Sequence, residues 1–406
     1  MLGLLQNLLR LSVNKQISNR SNGLFGIYVH WPFCVHKCPY CDFNSHVPNS
    51  RSLGAAFDER EFVQSYKAEL RHFAKLKPNE TINSIFFGGG TPSLMSPQAV
   101  GAILDEIASL WSIDENVEIT LEANPNSAEV ARFKGYKAAG VNRISIGVQS
   151  LRDEPLKALG RAHSVSEAKS AVAIAQSIFE RSSFDLIYAR PEQSLEDWRV
   201  ELNEALDMAA GHISLYQLTI EQGTRFFDLH RDKKIIMPNT DLSADFYALT
   251  NELCSEAGYP AYEISNHAMR GEKSLHNLLY WRYGEYVGIG PGAHGRLIID
   301  DVRFATANEK IPQVWHKNVY ANGHGLVTND KLTWEEEGDE LLLMGLRLSE
   351  GIDPKRFELL SGRSLSPEQI EDLKGYGFVE QLKNGFLRVT DSGFSVLDAV
   401  VADLAA

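Results

Sequence analysis

Cysteine, basic charge and long apolar runs are all scarce in this 406-residue chain, and each scarcity excludes a class of protein. Four cysteines are too few for a disulfide scaffold. No stretch of about 18 consecutive apolar residues occurs, so we predict no integral membrane span. The 40 Lys and Arg against 53 Asp and Glu give a formal net charge of −13, which repels a phosphate backbone. We therefore expect no nucleic-acid partner.

The few cysteines are unevenly placed. Cys34, Cys38 and Cys41 fall within one window of eight residues, whereas Cys254 stands alone. Cysteines that staple a fold are spread along the chain, so three together near the N-terminus predict a metal or cluster site in a reducing compartment. The cytoplasm is therefore the expected location.

Residues 1–23 contain no acidic side chain, and the first acidic residue is Asp42. Six leucines give this segment an amphipathic helix pattern, with Arg10, Lys15 and Arg20 beside it. One interpretation is a mitochondrial transit peptide, which would place the protein in the matrix. The other, which we favour, is a loose N-terminal extension of a cytoplasmic protein.

The stretch from residue 26 to about 218 alternates short apolar runs with helical patterns. The runs are rich in Ile, Val and Phe, which is typical of buried parallel strands. Six βα units in register predict an α/β fold, an open parallel (β/α)6 barrel over residues 24–220, with functional residues at the C-terminal ends of its strands. The predicted strands are Ile27–His30, Ile82–Phe87, Val117–Leu121, Arg143–Gly147, Phe184–Ile187 and Ile213–Leu218. Helices are predicted between them at Glu61–Lys75, Pro97–Leu110, Ser127–Ala139, Ser166–Phe179 and Ser194–Ala209.

The chain beyond the barrel divides into two parts. Residues 221–330 look irregular, with a Gly-rich and aromatic stretch at 276–295, and we expect them to complete the barrel. Residues 331–406 predict three helices, a hairpin and a last helix, the order of a small winged-helix-like α+β domain. This domain holds 15 Asp and Glu against 8 Lys and Arg, so we expect a lid or partner-docking role and not DNA binding.

The cysteine window carries the strongest chemical signal. Its spacing is C-x3-C-x2-C, with Tyr40 directly before the last cysteine. A loop this short can place three thiolates on three corners of a [4Fe–4S] cube, which leaves one iron open to an exogenous ligand. The alternative is a structural Cys3His zinc site that uses His30, His36 or His46. Zinc motifs usually come as two pairs separated by a longer loop, so we favour the cluster.

This window, placed after the first strand of a barrel, resembles the radical S-adenosylmethionine (SAM) superfamily. Motifs at 88–93, 121–125, 143–150 and 185–188 resemble the anaerobic coproporphyrinogen III oxidase family. Within that family the chain is most similar to the HemW-like (heme chaperone) branch, through Cys-Asp-Phe-Asn-Ser-His at 41–46 and an H-N-x-x-Y-W motif at 276–281. The resemblance covers roughly residues 25–400.

The resemblance implies a SAM site beside the open iron. In that superfamily SAM chelates the iron through its amino and carboxylate groups, and one electron from the cluster splits its sulfonium C–S bond. Gly89, Gly90 and Thr91 would meet the amino and carboxylate groups, because glycine permits close approach of the backbone. The other residues that the resemblance assigns to SAM are Tyr28, Glu122, Gln149, Arg161, Asp185 and Thr219.

One position departs from the pattern of the oxidases. Those enzymes extend the motif to C-x3-C-x2-C-x-C, and Phe43 stands here at the final position. The fourth cysteine is not a cluster ligand in the family's pattern, but its loss accompanies loss of oxidase activity in this branch. Oxidative decarboxylation of coproporphyrinogen III is therefore kept only as the alternative function.

The H-N-x-x-Y-W motif points to a porphyrin ligand. His276 is able to ligate heme iron, and Tyr280 and Trp281 are able to stack on the macrocycle, with Asn277 beside them. The alternative is an aromatic packing cluster in which His276 and Asn277 hydrogen-bond to local backbone. The rival iron ligands are His267 and His294.

These observations predict a heme chaperone of the radical SAM type. It would bind a [4Fe–4S] cluster, SAM and heme, and would transfer heme to an acceptor protein. A second partner would donate electrons to the cluster. No residue is assigned a catalytic role.

Overall fold

The computed structural model describes residues 20–48 and 58–406. The two interpretations of residues 1–23 concern a segment that lies almost entirely outside the described residues. Within those two ranges, no helix is long and apolar enough to cross a membrane.

One eleven-stranded sheet organises the larger part of the chain. Its first six strands follow chain order and pair in parallel. The sheet does not return to its starting strand, so the predicted open parallel (β/α)6 arrangement is confirmed. The six strands are Phe25–Trp31 (β1), Thr81–Gly89 (β2), Ser112–Ala123 (β3), Arg143–Gln149 (β4), Arg181–Tyr188 (β5) and His212–Gln217 (β6).

Helices connect these parallel strands, as the right-handed βαβ crossover requires. Ser96, Ser164 and Ser194 cap three of them by accepting a hydrogen bond from a backbone N–H of the first turn. The helix predicted over 127–139 is two helices, with a turn at residues 131–132 between them. The connecting helices are Glu59–Leu76 (α1), Pro97–Leu110 (α2), Ser127–Val130 (α3), Phe133–Ala139 (α4), Asp153–Ala158 (α5), Val165–Ile178 (α6) and Leu195–Met208 (α7).

The expectation that residues 221–330 are irregular was wrong. This segment adds one antiparallel strand beyond β6 and four strands on the other side of β1, the first of which is parallel to β1. These short strands lie outside the βα rhythm that identifies the first six, so their sequence signal is weaker. The elements are Arg225–Arg231 (α8), Thr240–Glu256 (α9), Asn266–Ala268 (β7), Leu275–Trp281 (α10), Glu285–Ile289 (β8), His294–Ile299 (β9), Val302–Asn308 (β10), Pro312–Asn322 (α11) and Leu326–Lys331 (β11).

The C-terminal residues form three helices, a hairpin and further helices, in the predicted order. They enclose a separate hydrophobic core, and a buried ion pair between Arg303 and Glu337 (3.4 Å) joins them to the sheet. The elements are Trp334–Gly345 (α12), Pro354–Ser361 (α13), Pro367–Gly375 (α14), Val379–Gln381 (β12), Leu387–Val389 (β13), Asp391–Phe394 (α15) and Leu397–Ala405 (α16).

Polar residues inside the barrel form two layers along the strands. Alternate residues of a strand share one face, so residues two or four apart on β3, β4 and β5 lie above one another. The lower layer contains Arg143 and Arg181, the first residues of β4 and β5, and Glu118 from the middle of β3. The upper layer, at the C-terminal ends, contains Glu122 and Asp185.

Candidate functional site

A cavity of about 570 Å³ opens at the C-terminal ends of the parallel strands. It is lined by the three clustered cysteines and by most of the residues that the resemblance assigned to SAM. The parallel strands bring these residues together because their carboxyl ends meet at one edge of the sheet. The lining residues predicted from the sequence are Cys34, Cys38, Cys41, Gly89, Gly90, Thr91, Glu122, Gln149, Arg161, Asp185 and Thr219.

The loop that carries the cysteines, residues 32–46, begins one residue after β1 ends and is closed at its base. The backbone N–H of Cys34 donates to His46 O (3.0 Å), and the N–H of His46 donates to Pro32 O (2.7 Å). A tight turn from Cys38 to Cys41 (3.1 Å) brings these two thiols to the same end of the loop. All three thiols are half-buried, and burial raises the pKa of Cys34 and Cys41.

The Asn44-Ser45-His46 segment ties this cluster loop to the opposite side of the sheet. The Asn44 amide donates to Pro291 O (2.9 Å) and to Lys310 O (3.0 Å). The backbone carbonyl of Asn44 bonds in turn to Nε2 of His30 on β1 (2.9 Å). This segment is part of the motif at 41–46 that carries the family resemblance, and in the structure it anchors the loop.

A chain of hydrogen bonds connects two of the cysteines across the cavity floor. Oγ1 of Thr91 donates to Sγ of Cys34 (3.4 Å) and accepts from the Asn124 amide (3.3 Å). Arg161 donates to Oδ1 of Asn124 (2.5 Å) and to Sγ of Cys38 (3.4 Å). Asn124 was not predicted as a site residue, although it stands in the 121–125 motif.

Gly89 and Gly90 are required by the cluster loop itself. Gly89 has φ +109°, and a Cβ there would lie 2.6 Å from the His30 ring. A Cβ on Gly90 would lie 2.8 to 2.9 Å from backbone atoms of residues 31–33, where the loop leaves β1. The glycines therefore let the loop and the end of β2 pass closely, in addition to the predicted contact with a ligand.

Glu122 and Asp185 face the cavity from neighbouring parts of the upper layer. Burial, with the nearby Asp185, raises the pKa of Glu122 to about 8, against the opposing effect of the Gly89 backbone N–H. Burial likewise raises the pKa of Asp185 to about 6, although Ser145 donates to it (3.2 Å). Neither carboxyl has a basic partner within salt-bridge distance among the described residues, so both have acceptor capacity left for hydroxyl groups.

Gln149, at the end of β4, has a backbone conformation that few non-glycine residues adopt. Its φ is +72°, and the β4–β5 pairing shifts register between Ile146 and Gln149. Such strain is tolerated where the surroundings hold it, and it is common at ligand sites. Here the bulge places Gln149 on the cavity wall, opposite Thr219, which follows β6.

The chain is similar to known proteins of one family. Residues 28–205 match the radical SAM superfamily, and residues 332–396 match the HemN C-terminal domain. The chain is 39% identical to "Heme chaperone HemW" of Haemophilus influenzae, over 84% of this chain and 87% of that protein. It is 35% identical to the protein of the same name from Escherichia coli, over 92% and 96%.

The chain belongs to the HemW-like branch of the radical SAM superfamily.

Two further matches extend the comparison. "Radical S-adenosyl methionine domain-containing protein 1, mitochondrial" of Danio rerio is 37% identical, over 92% of this chain and 85% of that protein. The solved structure of coproporphyrinogen III oxidase from Escherichia coli superposes with a TM-score of 0.76, covering 94% of this chain and 90% of that one. At 19% identity, that likeness shows the shared fold.

Membership of the HemW-like family implies a [4Fe–4S] cluster and SAM, and the cavity residues fit both groups. Three cysteine thiols on one loop are the donor set that such clusters prefer. Nε of Arg161 is buried and has no hydrogen-bond partner among the described residues. This N–H group, on the side chain that also contacts Cys38, is therefore available to a ligand acceptor. A carboxylate is the natural partner of such a guanidinium.

Each histidine of the zinc alternative makes at least one hydrogen bond through its ring. His30 bonds through both ring nitrogens, to the Tyr28 hydroxyl (3.0 Å) and to Asn44 O. His46 bonds through Nε2 to Lys310 O (3.2 Å), and His36 bonds through Nε2 to Gly160 O (3.0 Å). In the described ranges, no three His, Cys, Asp or Glu side chains are arranged to hold a single metal ion.

Tyr28 lies below the cavity and not in its wall. Its hydroxyl bonds to Nδ1 of His30, and its ring stacks on Phe86 and His276 inside the barrel. The SAM contact implied for Tyr28 stays a prediction, because this residue is not part of the cavity lining.

The H-N-x-x-Y-W motif is also away from the cavity, on α10 beneath the Tyr28 ring. His276 is buried, with Nδ1 bonded to Ser84 Oγ (2.9 Å) and Nε2 bonded to the Tyr280 hydroxyl (2.9 Å). Both ring nitrogens are therefore in use, and burial lowers the pKa of His276 to about 3. This arrangement favours the packing interpretation of the motif, with side-chain partners in place of the expected backbone ones.

The remaining residues of the motif support neighbouring elements. The Asn277 amide donates to the Tyr262 hydroxyl (3.4 Å). Trp281 packs on Leu348 in the C-terminal part of the chain, with the Arg347 guanidinium over its ring. The motif thus connects the barrel interior to the C-terminal domain.

Proposed function

We propose that this chain is a heme chaperone of the radical SAM type, which binds a [4Fe–4S] cluster, SAM and heme and transfers heme to an acceptor protein. The observation that carries the proposal is the match to two proteins named heme chaperone along 84% and 92% of this chain, together with Cys34, Cys38 and Cys41 on one loop at the cavity.

Each part of the cavity has a defined task in this proposal. Cys34, Cys38 and Cys41 hold the cluster through deprotonated thiols. Arg161 uses its unpartnered Nε to hold the SAM carboxylate, and the backbone of Gly89 and Gly90 borders its amino group. A cluster held by these thiols would supply one-electron chemistry toward the sulfonium, with a separate donor protein as its source of electrons.

The upper-layer carboxyls are suited to the ribose of SAM. Glu122 and Asp185 have acceptor capacity left, and they line the same cavity as the cluster loop. Their raised pKa values mean that a neutral carboxyl is present near pH 7, which is able to donate as well as accept. Ribose hydroxyls require both kinds of partner.

Oxidation of coproporphyrinogen III is the second candidate, because the fold superposes on an oxidase of that name. Phe43 argues against it, since the phenyl group supplies no thiol at the position where the oxidases carry a cysteine. Anaerobic incubation of the cluster-loaded protein with coproporphyrinogen III, SAM and a reductant separates the two. Protoporphyrinogen formed over many turnovers would replace the chaperone proposal by the oxidase.

Heme titration of the anaerobically reconstituted full-length protein tests the proposal directly. We expect one heme per chain, and transfer of that heme to an added apo-acceptor such as a heme-free cytochrome. Titrations with and without SAM show whether the two ligands are coupled. The absence of saturable heme binding in both titrations would contradict the proposal. Iron and sulfide analysis of the same preparation addresses the zinc alternative.

We keep the cytoplasm as the proposed location, with the mitochondrial matrix as the alternative. The names of the relatives support either location, since a bacterial chaperone and a mitochondrial protein match at similar identity. Fusion of residues 1–23 to a fluorescent reporter decides between them. Import of the reporter into mitochondria would overturn the cytoplasmic proposal.

A further inference from the structure

The outer rim of the cavity carries two exposed apolar side chains. Val35 and Phe43 line the cavity mouth and are 67% and 59% exposed. Both belong to the cluster loop, whose base is fixed by backbone hydrogen bonds. Because the loop holds these two apolar side chains in solvent, a ligand that covers them would remove apolar surface from water, which is favourable.

Between them stands a histidine whose geometry suits metal ligation. Nε2 of His36 donates to Gly160 O (3.0 Å), which fixes the ring and its tautomer. Nδ1 then carries the lone pair, and it makes no hydrogen bond within the described part of the chain. An imidazole that donates its second N–H to a backbone carbonyl is the usual arrangement of a metal-bound histidine. His36 is exposed and lines the cavity.

Other histidines near the barrel are less suitable. His276 has both ring nitrogens bonded and is buried beneath the cavity. His163 lines the cavity but is buried, with Nε2 bonded to Val148 O (3.0 Å). His30 has both nitrogens bonded as well. His36 is thus the histidine of the cavity wall that combines an exposed ring with an open nitrogen.

The next residue adds a positive charge. Lys37 is exposed at the mouth, and its ammonium uses one N–H on Phe43 O (3.3 Å). The remaining N–H groups face solvent and can pair with a carboxylate. Asp42 and Glu221 also line the mouth, so a carboxylate ligand is confined to the Lys37 side.

We propose that heme binds on this rim, with Nδ1 of His36 on the iron, Val35 and Phe43 against the macrocycle, and Lys37 beside a propionate. This inference rests on the proposed heme function and assigns a binding site to the heme. The cavity, at about 570 Å³, is of the size that holds one small ligand, so SAM fills the interior and the larger, flat heme covers the mouth.

Heme titration of the full-length, cluster-loaded protein tests the rim. For His36→Ala we expect at least about tenfold weaker heme binding and loss of the imidazole-ligated spectrum, because heme iron binds imidazole strongly. His36→Met should replace the imidazole signature by a thioether one, which a structural role of His36 would not produce. The matched control is His230→Ala, an exposed histidine of α8 outside the cavity, which should bind as the wild type does.

The apolar part of the rim has its own pair of variants. Phe43→Ser should weaken heme binding about threefold to tenfold, whereas Val327→Ser, on β11 and equally exposed at 59%, should not. Iron and sulfide contents of all variants are measured first, and variants that load no cluster are compared with a cluster-free wild type.

The outcomes separate the two claims. If the wild type binds no heme, the proposed function itself fails. If the wild type binds heme and the His36 and Phe43 variants bind it equally well with an unchanged imidazole spectrum, only the rim assignment is overturned.

Discussion

Glu118 and Glu122 stand four residues apart on β3 and share one face of the strand, yet Glu118 is buried among cations whereas Glu122 is half-buried and lines the cavity. Burial alone would raise the pKa of Glu118, but Arg143 and Arg181 (2.7 Å) hold it below its usual value. Its other oxygen accepts from Ser274 Oγ (3.1 Å). Glu122 has no such cation, and its pKa is raised to about 8.

The difference separates a closed end of the barrel from an open one. In the lower layer each charge is paired and each nitrogen of His276 is bonded, so the groups stabilise the fold. In the upper layer, within the part of the chain that the structure describes, Nε of Arg161 makes no hydrogen bond, neither carboxyl has a cation within salt-bridge distance, and the backbone of Gln149 is strained. Polar groups that are incompletely satisfied where a cavity opens are a mark of ligand binding.

Removal of a cluster cysteine should have the largest effect on the open end. We expect Cys34→Ala, Cys38→Ala and Cys41→Ala each to abolish the broad cluster absorbance, because three thiolates are the minimum donor set. Cys254→Ala is the matched control, since burial raises the pKa of this thiol to about 12 and it lies far from the loop in the core. Loss of absorbance in the control alone would refute the assignment.

Glu118→Ala should cost the most stability at the closed end. The substitution leaves Arg143 buried without its carboxylate, and breaking a buried pair typically costs about 3–5 kcal/mol. Chemical denaturation with an unchanged m-value measures it. A loss below about 1 kcal/mol would show that the lower layer does not stabilise the fold as described.

His276→Ala should lower the free energy of unfolding by an intermediate amount and should leave heme binding unchanged. It leaves the hydroxyls of Ser84 and Tyr280 without their partner, which we expect to cost about 2–4 kcal/mol. Heme affinity, measured below the unfolding transition, should stay within about twofold of the wild type. A selective loss of heme with normal stability would instead restore His276 as the heme ligand.

Glu122→Ala should change the pH dependence of stability more than stability itself. The folded pKa of about 8 exceeds the unfolded value of 4.5, so the folded state binds more protons in this window. Stability of the ligand-free protein therefore falls as pH rises from about 4.5 to 8, by at most about 1.4 kcal/mol per pH unit for this group. The variant should remove that slope above pH 6, where Asp185 no longer contributes. An unchanged slope would argue that Glu122 is ionised.

The sequence was sufficient for the parallel strands and for the placement of the cysteines. Apolar runs such as those of β1 and β5 are read correctly because parallel strands are buried on both faces. Strands β7 to β11 are harder to identify from the sequence, because they are three to seven residues long and do not follow the strand-then-helix rhythm of the first six. Their places in the sheet, β7 beside β6 and β8 to β11 on the other side of β1, follow from tertiary packing, which local patterns do not encode.

The site shows the same limit. Spacing identified the three cysteines, and family motifs identified Glu122 and Asp185, which do line the cavity. Motif position could not show that Tyr28 and His276 lie below the cavity, stacked on each other, because that depends on how α10 enters the barrel. Asn124 was missed because its hydrogen bonds to Thr91 and Arg161 join residues that are far apart in the sequence.

SAM binding by Glu118→Ala and Glu122→Ala tests the two-ended barrel most directly. Isothermal titration of SAM into each cluster-loaded variant, at a temperature where both are folded, measures the effect of the same substitution at the two ends. We predict that Glu122→Ala weakens SAM binding about tenfold or more, through one lost hydrogen bond of about 1.4 kcal/mol, and that Glu118→Ala stays within about twofold. Equal losses in the two variants, or a larger loss for Glu118→Ala, would contradict the account.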